Sequence, residues 1–367
     1  MKILLLGEYS NVHATLAKGL RNLGHTVVVA SNGDFWKNYP ADISLKRKPN
    51  KLGGIIFMLK LGLILPKFTG YDIVQLINPM FMELKAERLL KIYKFLKKHN
   101  KAVVLGAFGM DWYWINTCTF KMPLKYSDFN IGQQRRTNRD AIKEQKDWFG
   151  TAKEQLNKKI ANECDGIIAG LYEYWICYKN IFPNKTTFIP FPIVPSTEQV
   201  IPKGEKLKIF IGINKNRSEY KGTDIMLKAA LDIEKKYPQK VKLIIAESIP
   251  FKQYKELMNG CDVILDQLYS YTPAMNALLA MSKGIICIGG GEEENYKILD
   301  EQFIRPIINV EPNYQSVYKQ LEKLISLSDK HINKLKIQSI QYVNKHHEYT
   351  KVAKSYENFY LNLLANK

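Results

Sequence analysis

Along this chain short apolar runs alternate with stretches of helical spacing, and the series breaks off once and begins again. Residues 2–6 read Lys-Ile-Leu-Leu-Leu, Gly7 to Ser10 break the run, apolar residues recur at helical spacing over 12–23, Gly24 stops them, and 26–30 form a second run. That order is a βαβ opening. Further runs at 72–76, 102–105 and 166–169 alternate with helical stretches such as 82–99. Their unbroken apolar character suits strands buried on both faces of a parallel, doubly wound sheet.

The break falls where Pro183, Pro190, Pro192, Pro195 and Pro202 crowd together, a density that disfavours helix and reads as a connector. Beyond it the rhythm resumes, with strand-like runs at 208–211, 242–246, 263–265 and 285–288 separated by helices near 224–237, 251–260 and 273–283. From Tyr314 onward Tyr and Leu recur at helical spacing to Leu364, and the last helix is expected to return to the first domain. A chain of 367 residues exceeds what one core usually supports. The expected division is a Rossmann-like domain over 1–190, a second over 191–345, and a returning helix over 346–367.

The net charge of +19 is concentrated early, since residues 1–200 hold 29 Lys and Arg against 16 Asp and Glu. Such a bias attracts nucleic acid, acidic lipid or a phosphorylated substrate, and charge alone does not separate them. Neither a recognised reader motif nor a basic stripe interleaved with aromatics is present, so nucleic acid is not expected as a partner. Cys118, Cys164, Cys177, Cys261 and Cys287 are odd in number and widely spaced, which argues against a disulfide framework or zinc site and suits a reducing cytoplasm. The apolar start is cut short by Gly7-Glu8, unlike a signal peptide. Residues 52–66 form the most apolar longer stretch, but Lys60 interrupts it and it is too short to span a bilayer. Lys46-Arg47-Lys48 just before it, and Arg135, Arg136 and Arg139, are candidates for contact with an anionic membrane surface.

Chemistry is expected in the loops beyond the strands, where helix N-termini favour anions. The first such loop, Gly7 to His13, has a single glycine and lacks dinucleotide-binding spacing, so Gly7 reads as a tight turn. The second half is more telling. Ile209-Phe210-Ile211-Gly212 leads into a polar loop containing Lys215 and Arg217, then Lys221-Gly222-Thr223-Asp224 enters a helix. Next come Asn259 to Asp266 and a segment ending Ala280-Met281-Ser282-Lys283-Gly284, with Thr272-Pro273 expected to cap its helix and Gly284 to stop it.

These two segments resemble the retaining glycosyltransferases of the GT-B fold, a group whose members include bacterial cell-surface glycan enzymes. The resemblance implies two Rossmann-like domains facing a cleft. It also implies a nucleoside-diphosphate sugar as donor substrate, no metal or other cofactor, and transfer to the hydroxyl of a glycan or lipid-linked acceptor at the cytoplasmic face of a membrane. In that group an Arg and a Lys neutralise the donor phosphates, and Arg217 and Lys221 match, with Lys215 an alternative to Arg217. The group commonly carries two glutamates eight residues apart across this loop and helix, where this chain has Tyr271 and Leu279. Asn276 or the run Glu292-Glu293-Glu294 could take over ribose binding. The run follows Gly289-Gly290-Gly291, which would let backbone approach a ligand. Gly290, Gly291 and Glu294 are thus expected beside the sugar, with Tyr271 and Thr272 close by.

In the first half Asp111 stands just beyond a strand and could orient an acceptor hydroxyl, and His13 could meet the acceptor. Each has a plainer reading, Asp111 as a helix cap and His13 as a core histidine. Two other readings remain open from sequence, a sugar-nucleotide epimerase on the same fold and a homologue that binds nucleotide sugar without turnover.

Overall fold

The computed structural model describes residues 1–34, 37–50, 52–197 and 202–367. In chain order the elements are β1 (Lys2–Leu6), α1 (Val12–Asn22), β2 (Thr26–Ser31), β3 (Ile43–Ser44), α2 (Gly53–Ile64), β4 (Ile73–Leu76), α3 (Ala86–His99), β5 (Ala102–Ala107), α4 (Trp112–Asn116), β6 (Asn130–Ile131), β7 (Gln134–Arg135), α5 (Arg139–Trp148), α6 (Ala152–Glu163), β8 (Gly166–Ala169), α7 (Tyr172–Lys179) and β9 (Thr186–Phe188). They continue with β10 (Leu207–Ile213), α8 (Ser218–Lys221), α9 (Thr223–Lys236), β11 (Val241–Glu247), α10 (Phe251–Met258), β12 (Val263–Leu265), α11 (Met275–Ser282), β13 (Ile286–Gly289), α12 (Glu293–Ile298), β14 (Ile308–Asn309), α13 (Tyr314–Ile325), α14 (Asp329–His346) and α15 (Tyr349–Ala365).

The chain divides into two compact units. The first holds residues 1–117, 144–192 and 349–367, the second 118–143 and 193–348. In the first, seven parallel strands run in the order β3-β2-β1-β4-β5-β8-β9. Their central runs are wholly buried, with Ile3, Leu4, Leu5, Leu6, Ile73, Val74, Val103 and Val104 at 0% exposure. Helix α15 belongs to this unit and packs along α1. Asn22 Nδ2 donates to the Tyr349 hydroxyl at 3.2 Å, and His25 meets Glu357 at 2.8 Å.

In the second unit five parallel strands run β11-β10-β12-β13-β14. Helices α9 and α13 cover the sheet through Met226, Ala230, Ile233, Val317, Leu321 and Leu324. A buried ion pair ties α14 to the start of β12, Lys336 Nζ to Asp262 Oδ1 at 2.6 Å, while Asp262 Oδ2 accepts from the Lys208 backbone at 2.8 Å.

Residues 118–143 depart from the expected division at 190. They leave the first unit's chain and pack in the second, through contacts between residues 166 positions apart in one case, which no local periodicity reveals. Of the proline-dense connector, residues 198–201 lie outside the described residues.

In each sheet the strand order reverses direction at one place, between β1 and β4 in the first and between β10 and β12 in the second. Open α/β sheets bind ligands beyond the carboxyl ends of the strands at such switch points.

Candidate functional site

At the second sheet's switch point, β10 ends in Ile213 and the chain makes a 3₁₀ turn over Lys215–Arg217 before α8. Gly222, with φ of 72°, then turns the chain into α9. Two cations from this loop flank a single buried ring, Tyr220, with the Arg217 guanidinium 4.8 Å and the Lys221 ammonium 5.4 Å from its centroid. Lys221 donates to the Gln267 amide oxygen at 2.6 Å and lies 4.0 Å from Asp128 Oδ1. Among the described residues the Arg217 guanidinium has neither a hydrogen bond nor an ion pair.

Asp266 stands at the end of β12 beside them. Burial pushes its carboxyl up to about 6, against opposing pulls from Asn276 and Lys221. Asn276 Nδ2 reaches Asp266 Oδ1 at 3.4 Å. Lys221 and Arg217 thus put two cations on this loop, with the Asp128 and Asp266 carboxyls beside Lys221, and cations held at a strand-to-helix loop can bind an anion. Lys215 is not gathered here. It is exposed, pairs with Glu247 at the end of β11, and lines a separate shallow hollow with Asp224 and Asp232.

Sequence reasoning missed the residue that holds this loop. Arg136, expected on the surface, is only 9% exposed. Its guanidinium donates to the carbonyls of Glu219 at 2.9 Å, Tyr220 at 3.1 Å, Ser127 at 3.2 Å and Asp128 at 3.4 Å. It also stacks 3.5 Å from the Tyr269 ring centroid. A planar fork of donors suits such multiple acceptance, which a lysine could not reproduce. Arg136 therefore ties the loop after β10 to the loop after β12.

Several expectations are corrected on the far side of the site. Thr272-Pro273 does not open the helix. α11 begins at Met275 with Ala274 as N-cap and no side-chain cap; Pro273 disfavours helical backbone at Thr272, and the Ser270 hydroxyl donates to the Thr272 carbonyl at 2.6 Å. Tyr271 is 2% exposed and its hydroxyl accepts from the Lys125 backbone at 2.6 Å. None of Gly289, Gly290 and Gly291 takes the left-handed region. What Gly290 admits is the protein's own chain, since a Cβ there would stand 2.3 Å from the Ser270 carbonyl oxygen. Gly212 similarly makes room for the Tyr254 ring.

Of the acidic run, Glu292 is structural. Burial alone would raise its carboxyl, but hydrogen bonds from Tyr126 at 2.7 Å, Asn309 at 2.9 Å and Lys125 at 3.1 Å outweigh it and hold it below the usual range. Glu293 pairs with Arg305. Glu294 differs from both: its Oε2 is buried and has no hydrogen-bond partner among the described residues. Such an orphaned oxygen in a native fold calls for a ligand or a water.

The first sheet's switch point opens onto a hollow of about 720 Å³ whose walls include Gly7, Glu8, Tyr9, Asn32, Ile77 and Phe81. Gly7 takes φ of 85° there, the tight turn expected of it. His13 and Asp111 are both engaged elsewhere. Burial drives His13 down to about 3, so the ring is neutral. Its Nδ1 donates to the Gly7 carbonyl at 2.9 Å, and its Nε2 accepts from Gln75, whose oxygen accepts the Tyr360 hydroxyl at 2.6 Å. Asp111 is fully buried and caps α4 through the Trp114 backbone at 2.8 Å, while its other oxygen accepts from Tyr178 at 2.6 Å. Burial pushes its carboxyl up to about 6. Every polar atom of both side chains already has a partner within the first unit.

Glu8 is the titratable group that sequence reasoning passed over. Asn11, the N-cap of α1, is left-handed and makes no side-chain cap, so Glu8 supplies it, accepting from the backbones of His13 at 3.2 Å and Ala14 at 2.8 Å. Burial nevertheless pushes its carboxyl up to about 8. A carboxyl raised on folding binds its proton more tightly in the folded chain, so its contribution to stability declines as pH rises from about 4.5 through about 8. Urea unfolding is expected to show stability falling by about 1–3 kcal/mol across that window and a flatter profile for Glu8→Gln. An unchanged slope would contradict the assignment.

Neither a family model nor a curated protein sequence matches the chain. Solved structures do. HepE from Anabaena, in complex with UDP and glucose, has a TM-score of 0.60 at 12% identity over 98% of this chain and 98% of that one. Sucrose-phosphate synthase from Thermosynechococcus elongatus has a TM-score of 0.60 at 12% identity over the whole of both chains. Starch synthase IV from Arabidopsis thaliana, bound to ADP and acarbose, has 0.59 at 11% identity over 100% of this chain and 99% of that catalytic domain. At such identity the likeness is one of fold.

Proposed function

We propose that this chain, which has the GT-B fold, moves a sugar from a nucleoside diphosphate to an acceptor hydroxyl. The observation that carries the reading is the pairing of Lys221 and Arg217 about Tyr220 at the second sheet's switch point. When the glycosidic bond to the donor breaks, negative charge grows on the departing diphosphate. Fixed cations there stabilise the transition state more than the ground state, and two of them stand in for the divalent metal that other sugar transferases use. Lys221 would exchange its neutral partner Gln267 for a phosphate oxygen, and Arg217 would gain the acid it lacks.

In this reading Glu294 accepts a hydroxyl of the transferred sugar, supported by its unpartnered oxygen, and Asn276 beside Asp266 is the candidate for the ribose. The acceptor, a hydroxyl of a surface glycan or of a lipid-linked one, is taken by the hollow that Glu8 borders. Transfer with retention follows from the resemblance of the Lys221 and Ala280-Met281 segments to retaining enzymes.

The test is turnover. Incubated in turn with UDP-, ADP- and GDP-hexoses, the chain is expected to release one nucleoside diphosphate, and Glu294→Gln to raise the donor KM by about tenfold, the worth of one hydrogen bond to a charged group. Release from none of them, with no rise in melting temperature at millimolar donor, would refute the reading.

A further inference from the structure

Helix α2 is apolar on both of its long faces. Phe57, Leu61 and Ile64 turn into the first unit and are buried. Leu52, Ile55, Ile56, Leu59 and Leu63 stand in solvent, Leu59 at 69% and Leu63 at 79% exposure. The outer five fall 3, 4, 7 and 11 residues on from Leu52, so they line one continuous stripe. An ordinary surface helix turns polar residues outward. No other stretch of the described residues gathers as many exposed large apolar side chains.

Charge around the stripe is equally one-sided. From Ile43 to Tyr71 the sequence has six Lys or Arg and no Asp or Glu. Lys46, Arg47, Lys48 and Lys67 are exposed. The helix has 12 residues, a length of about 18 Å against a bilayer core of about 30 Å. No helix among the described residues is long and apolar enough to cross a membrane.

We propose that α2 is the face on which this chain lies against an anionic membrane, its outer stripe sunk to the boundary of headgroups and acyl chains and its flanking lysines on the headgroups. Charge decides between the possible occupants. A second copy set stripe to stripe would also bring two all-basic segments together, whereas an anionic lipid surface satisfies the apolar stripe and the lysines at once. Arg47 connects this face to the acceptor side. It packs against α2, where a Cβ on Gly54 would stand 3.1 Å from its guanidinium, and it lines the 720 Å³ hollow beyond β1 and β4. A lipid-carried acceptor would therefore reach the hollow from the bound surface. That last step rests on the transferase reading, and the docking itself does not.

Co-sedimentation with vesicles of phosphatidylglycerol and phosphatidylcholine, against phosphatidylcholine alone, tests it. The chain is expected to bind the anionic vesicles and to be released by salt. Leu59→Glu with Leu63→Glu, both exposed positions, should weaken binding at least about tenfold, and Lys46→Ala with Lys48→Ala by roughly fivefold per charge. Nucleoside diphosphate release without vesicles, measured on the same proteins, reports separately on the transferase reading. Absence of binding to anionic vesicles, or equal binding by the Leu59/Leu63 variant, overturns the proposal. So does a dimer that these substitutions dissolve in the absence of vesicle binding.

Discussion

Lys221→Ala is expected to lower kcat/KM for the nucleotide-sugar donor by about a hundredfold to a thousandfold, the usual cost of removing one preorganised charge from a developing anion. The fold should hardly notice. The side chain is 30% exposed, donates one hydrogen bond to Gln267 and lies at the limit of ion pairing with Asp128, so its loss costs about 1 kcal/mol of stability. Donor kinetics set beside thermal unfolding separate the two effects. A variant that keeps full activity, or loses activity only because it unfolds, would remove Lys221 from the diphosphate site.

Arg136→Ala should show the reverse pattern, with stability as its first casualty. The substitution leaves four carbonyls without their donor and removes the guanidinium from the Tyr269 ring. A loss of about 3–4 kcal/mol is expected, since each buried carbonyl loses a charge-assisted bond and water can replace only some of them. Arg136→Lys should recover only part of this, because an ammonium cannot reach acceptors on two loops at once. Function follows through position. With the loops after β10 and β12 no longer tied, Lys221 is free to wander, and the donor KM should rise even at temperatures where the variant is folded. Urea unfolding and donor kinetics on both variants check this, and unchanged stability in Arg136→Ala would contradict it.

These two residues mark the limit of what could be read in the sequence. The setting of Lys221 was legible because strand, glycine, polar loop and Lys-Gly before a helix follow one another locally. The buried strands Gly166–Ala169 and Val263–Leu265 were legible to the residue, since burial on both faces writes an unbroken apolar run. Arg136 was not, because two of its four acceptors, at Glu219 and Tyr220, lie more than eighty residues away. An arginine beside another arginine reads as solvated surface until the chain folds back on itself. The same holds for residues 118–143, whose place in the second unit rests on partners such as Glu292 and Tyr271.

Elsewhere the local signal was real but pointed to a different use. Thr272-Pro273 has the composition of a helix start, yet the Ser270 hydroxyl takes the Thr272 carbonyl and the helix begins only at Met275. The three glycines do permit close approach, and what approaches at Gly290 is the Ser270 carbonyl. Asp111 and His13 occupy the loops that the cleft rule selects, but each satisfies its own backbone and one buried side-chain partner. Helix α2 was the reverse case. Its apolar run was plain in sequence, and only the fold showed that half of it faces outward.

The central claim is that the loop between β10 and α9 binds the donor's diphosphate, and a crystal structure with a nucleotide sugar bound tests it most directly. A phosphate oxygen is expected about 2.7–2.9 Å from the Lys221 ammonium, with Arg217 swung from the Tyr220 ring onto the same group. Phosphates bound in another loop, with Lys221 still on Gln267 and Arg217 still against Tyr220, would contradict it.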